Sequence, residues 1–85
     1  MKEFNYTIKD PLGIHARPAS ELVNAAKKHG CKISIIKGDK TVDAKQILGI
    51  MALGVKCGET IKLTFDGEGE ETACESMLEF FNNHL

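Results

Sequence analysis

The chain has 85 residues, with 11 Lys and Arg set against 12 Asp and Glu for a formal net charge of −1. That length suits one small domain over residues 1–85 with its function on the surface, and the charge balance points to protein or small-anion partners and away from nucleic acid. Cys31, Cys57 and Cys74 are widely separated with no C-x-x-C spacing, which argues against both a disulfide framework and a structural zinc site.

Phe4, Tyr6 and Ile8 alternate with Glu3, Asn5, Thr7 and Lys9, the period of two expected of a half-buried strand. Pro11 and Gly13 break the pattern. From Ala16 onward Ala19, Leu22, Val23 and Ala26 recur at helical spacing, with Lys27, Lys28 and His29 expected in the last turn and Gly30 as the stop. Residues 31–37 and 40–43 read as two antiparallel strands joined by a tight turn at Gly38-Asp39. Asp43 and Gln46 then have capping-box spacing ahead of the apolar run 47–53, although a helix start at Gln46 fits equally.

Residues 60–66 alternate as a fourth strand, and Gly67 to Gly69 form a turn. Glu70 and Glu71 suit the positive end of a last helix whose core stripe takes Ala73, Met77 and Phe80, with Phe81 at its margin. His84 is expected in a frayed tail. Each strand has one apolar face, so the expected fold class is α+β: an open-faced βαββαβα sandwich, a four-stranded, mostly antiparallel sheet with three helices packed on one face. No leader-like start and no apolar run of membrane-spanning length is evident, so a cytoplasmic protein without membrane insertion is expected.

The octapeptide Gly13-Ile14-His15-Ala16-Arg17-Pro18-Ala19-Ser20 sets a histidine where strand gives way to helix, with the chain's only arginine two residues later. A helix N-terminus offers unpaired backbone N–H groups and a partial positive charge, both of which favour a bound anion. A phosphorylated His15 ring would find donors in the N–H groups of Ala16 and Arg17. Pro18 contributes no donor and is well tolerated in the first turn. The Arg17 guanidinium can make charge-assisted contacts to phosphoryl oxygens that a lysine would not reproduce. The run 47–53 has two readings: a helix wedged in the core, or a docking patch of Ile47, Leu48 and Met51.

The first of these strings, through Ala19, and the run Ile47-Leu48-Gly49-Ile50-Met51-Ala52-Leu53-Gly54-Val55 resemble the two signatures of the HPr family. These are the histidine-containing phosphocarriers of the bacterial phosphoenolpyruvate-dependent sugar phosphotransferase system, and the similarity spans essentially the whole chain. The resemblance implies an HPr-like fold and a carrier, not an enzyme. His15 would take phosphate on Nδ1 from phosphorylated enzyme I and pass it to enzyme IIA-type domains for sugar uptake, assisted by Arg17. It implies a partner face of Ser20, Asn24, Lys27, Ile47, Leu48 and Met51, with no cofactor and no metal, and a monomer is the default for so small a carrier. One departure stands out: many members carry a regulatory serine at the start of the second helix, and this chain has Gln46, which offers no hydroxyl to phosphorylate. Two other readings remain at this point, an adaptor acting by docking alone and a carrier serving a different phosphotransfer chain.

Overall fold

Period-two segments become strands and amphipathic segments become helices in a computed structural model that describes residues 1–85. The order is β1 (Lys2–Thr7), α1 (Ala16–Ala26), β2 (Lys32–Lys37), β3 (Lys40–Asp43), α2 (Ile47–Leu53), β4 (Thr60–Asp66) and α3 (Glu70–His84). The strands form one sheet in the order β1-β4-β2-β3, and every neighbouring pair is antiparallel. Register sets Phe4 opposite Leu63, Tyr6 opposite Ile61, and Ile35 opposite both Leu63 and Val42. Because side chains alternate along a strand, that alignment gathers the apolar set on the helix-covered face. The other face stays polar, with the Lys62 ammonium 2.7 Å from the Glu3 carboxylate and the Thr7 and Thr60 hydroxyls 2.8 Å apart.

Leu22 from α1, Ile50 from α2, and Met77 and Phe81 from α3 bury themselves against Ile33, Ile35, Ile61, Leu63 and Phe65. Phe81 meets Phe4 and Tyr6 edge-on at ring separations of 5.8 and 5.3 Å. The Tyr6 hydroxyl donates to the Phe81 carbonyl oxygen at 3.0 Å, so this buried phenol keeps a hydrogen bond.

Four expectations change in detail. On α3 the buried stripe is Ala73, Met77 and Phe81, and Phe80 is only partly buried; a spacing of four keeps these three on one line of the helix. His84 is not frayed: it lies in the last turn of α3, stacked on Phe80 at 4.5 Å. At the end of α1, Lys27 is already the C-cap and His29 lies beyond the helix, where Lys45 Nζ donates to the carbonyl oxygens of His29 and Cys31 at 2.7 and 2.9 Å. Gly30 is not among the glycines with positive φ, so it does not serve as a left-handed cap. The capping box is absent too. Asp43 Oδ1 accepts from the Lys45 N–H at 2.8 Å, and Gln46 is the N-cap of α2 without a side-chain bond. The local Asx turn has taken the oxygen that a capping box would use.

At the other end of α2, Gly54 closes the helix in the left-handed region at φ 60°. Lys37 Nζ donates to the carbonyl oxygens of Leu53 and Gly54 at 3.1 and 3.2 Å. A cation there suits the negative end of the helix.

Candidate functional site

The site begins in the turn after β1. Asp10 shapes it: its Oδ1 accepts from the Leu12 N–H and its carbonyl oxygen from the Gly13 N–H, both at 2.9 Å. Gly13 then passes through φ +68° so close to the 55–56 segment that a Cβ would stand 2.3 Å from the Val55 carbonyl oxygen. That same oxygen accepts the Ile14 N–H at 3.0 Å, and the Ile14 side chain is buried. The residue preceding α1 is thereby fixed by backbone on one side and core packing on the other.

His15 is the N-cap of α1, in extended conformation at φ −102° and ψ −175°, and its side chain makes no capping bond. Its carbonyl oxygen accepts the Ala19 N–H at 3.0 Å, the first bond of the helix. The N–H groups of Ala16 and Arg17 precede that bond and have no acceptor within the helix. Pro18 is buried in the first turn, where its missing donor costs nothing. The His15 ring is half-exposed, with Nε2 3.8 Å from Asp10 Oδ2.

Asp10, His15, Arg17, Pro18, Glu21 and His84 line one open cleft of about 300 Å³. The Arg17 side chain is 88% exposed, and its Nε lies 3.6 Å from Glu21 Oε1, one turn along α1. Glu21 Oε2 is 3.6 Å from His84 Nδ1. The fold therefore brings His15, Ala16 and Arg17 together, as the sequence suggested, and adds Asp10, Glu21 and His84. Glu21 stands four residues after Arg17, a spacing that signals a helix-surface pair. His84 reaches the cleft only through the packing of α3 against α1, which local patterning does not disclose.

Ser20 and Asn24 are exposed on α1, and Lys27 is exposed at its C-cap. Helix α2 divides between the two readings of its apolar run: Ile50 and Leu53 are core, whereas Ile47, Leu48 and Met51 are 40%, 82% and 41% exposed. Leu12, which the sequence reading passed over, is 72% exposed in the turn before His15. Gln46 is exposed at the head of α2. A second, smaller cavity of about 170 Å³ lies at Lys2, Glu71, Cys74 and Glu75, and burial pushes the Cys74 thiol above its ordinary range. A thiol so shifted is a poor nucleophile. No helix is long and apolar enough to cross a membrane.

Residues 2–83 match the family model described as the PTS HPr component phosphorylation site. The phosphocarrier protein HPr of Lysinibacillus sphaericus is 43% identical over 77 residues, covering 91% of this chain and 88% of that protein. The crystal structure of HPr-C-His from Thermoanaerobacter tengcongensis, 41% identical, superposes with a TM-score of 0.93 over 98% of this chain and 93% of the other. An HPr dimer from the same organism, also 41% identical, gives a TM-score of 0.78 over 98% of this chain and 95% of the other. With its sheet order, the histidine at the N-cap position of α1 and these matches in agreement, the chain belongs to the HPr family, the phosphocarriers of the phosphotransferase system, which relay a phosphoryl group and are not enzymes.

Proposed function

We propose that residues 1–85 work as one unit in the cytoplasm, accepting a phosphoryl group on Nδ1 of His15 from phosphorylated enzyme I and delivering it to enzyme IIA-type domains. The observation that carries this reading is the free His15 side chain at the N-cap of α1, ahead of the unengaged N–H groups of Ala16 and Arg17. The Asp10 carboxylate lies 3.8 Å from Nε2, and the nucleophile is the lone pair of the other ring nitrogen, Nδ1. That lone pair attacks the phosphorus of phosphorylated enzyme I. The new N–P bond forms as the bond from phosphorus to enzyme I breaks, and its electron pair stays with enzyme I. Phosphoryl oxygens then accept from the Ala16 and Arg17 N–H groups at the positive end of α1, and the Arg17 guanidinium adds charge-assisted contacts. Delivery to the acceptor reverses these steps on the acceptor's nucleophile.

Ser20, Asn24 and Lys27 with Ile47, Leu48 and Met51 form the proposed docking face. The chemistry needs no cofactor or metal on this chain, and action as a monomer is part of the proposal. Gln46 removes the hydroxyl through which serine-linked control would operate. Incubation with enzyme I and phosphoenolpyruvate tests the reading. The expected product is an acid-labile, base-stable phosphohistidine that a cognate enzyme IIA discharges; a label stable to acid contradicts it.

A further inference from the structure

We propose that Glu21 is a positioning residue of the transfer site: it holds the Arg17 guanidinium while the carrier is unloaded, and His84 competes with Arg17 for that same carboxylate. The inference rests on His15 being the phosphoryl acceptor. Glu21 is shared: Oε1 is 3.6 Å from Arg17 Nε and Oε2 is 3.6 Å from His84 Nδ1. The three side chains line the same cleft as His15. They arrive from two helices, Arg17 and Glu21 one turn apart on α1 and His84 from the last turn of α3, where stacking on Phe80 at 4.5 Å fixes its ring.

Each partner is well exposed, with Arg17 at 88% and Glu21 at 42%, and ion pairs in such settings are weak enough to exchange readily. A phosphoryl group on His15 brings roughly 1.5 to 2 negative charges and a geometry that the planar guanidinium fits in bidentate fashion. Arg17 therefore leaves Glu21 when the carrier is loaded. The vacated carboxylate would otherwise repel the phosphoryl group, and the His84 ring, with Nδ1 3.6 Å from Glu21 Oε2, is placed to take it up. Glu21 thus sets how strongly Arg17 favours the loaded state, and His84 sets how strongly Glu21 retains Arg17.

The test reads the equilibrium ratio of phosphorylated to free carrier with enzyme I at a fixed ratio of phosphoenolpyruvate to pyruvate. Because an equilibrium is read, variants that transfer slowly still report. Glu21→Gln should raise the ratio about two- to fivefold, the range an exposed ion pair supports, and His84→Gln should lower it by a similar factor. Both shifts should shrink when the same substitutions are made in an Arg17→Gln background, which a merely structural role would not produce. Shifts of the same sign, no shift, or shifts undiminished without Arg17 overturn the proposal while leaving the carrier reading intact. Absence of any phosphohistidine on the wild-type chain overturns the carrier reading, and this proposal with it.

Discussion

Replacing Gly13 by alanine probes how the fold fixes His15. The added Cβ would stand 2.3 Å from the Val55 carbonyl oxygen and 2.7 Å from Lys56 Cα, both backbone atoms that cannot swing aside, and Gly13 holds φ +68°. The left-handed conformation costs a residue with a Cβ about 1–2 kcal/mol. Forcing the two backbone segments apart adds about 1–3 kcal/mol by overpacking, and weakening the 3.0 Å bond from the Ile14 N–H to Val55 adds about 1 kcal/mol. The expected destabilisation is therefore about 3–6 kcal/mol, a large share of the ~4–13 kcal/mol typical of a domain this size. Gly30→Ala is the control, since its φ is not positive and nothing lies within 4 Å of the added atom; it should be neutral or gain up to about 1 kcal/mol. Urea denaturation of both variants, fitted with a common slope, measures the difference. A Gly13→Ala loss under about 1 kcal/mol, or a Gly30→Ala loss as large as that of Gly13→Ala, would refute the view that close backbone approach fixes the turn before His15.

Leu48→Ala should leave urea stability within about 0.5 kcal/mol, because the side chain is 82% exposed, while raising the KM of enzyme I for the carrier; an unchanged KM would remove Leu48 from the docking face. Tyr6→Phe deletes the 3.0 Å bond to the Phe81 carbonyl but keeps the ring packing, so a loss of about 0.5–1.5 kcal/mol is expected in the same denaturation assay. For Glu59, the Lys56 N–H at 2.7 Å and then the Lys37 ammonium at 3.1 Å hold the carboxyl below its usual range. A lowered folded-state pKa means the stabilisation is present above the ordinary carboxylate range and is lost as pH falls through the lowered value. Glu59→Gln should accordingly be less stable at neutral pH and show a shallower decline on acidification, which a denaturation series from pH 7 to about pH 3 resolves; parallel curves contradict it.

Strand positions were the most legible part of the sequence because alternation survives folding unchanged: Ile61, Leu63 and Phe65 alternate in the sequence and are all buried in β4. Helix ends were harder to read. Gly30 looked like a stop, yet α1 had already ended at Ala26, its following carbonyls taken by Lys45 from another part of the chain. Asp43 and Gln46 had capping-box spacing, and a two-residue Asx turn won the carboxylate instead. His15, Ala16 and Arg17 could be read as a unit because their geometry is local to one helix start. Asp10 and Glu21 were within reach of short-range spacing, whereas His84 joins them only because α3 packs on α1.

Localising the phosphoryl group on the intact chain bears most directly on what the site does. Wild-type and His15→Ala chains are incubated with enzyme I and phosphoenolpyruvate, kept at neutral to basic pH, and mapped by mass spectrometry alongside phosphorus NMR. One phosphoryl group on Nδ1 of His15 in the wild type, and none in His15→Ala, is the predicted result. A phosphoryl group on any other residue, or the same loading of both chains, would contradict it.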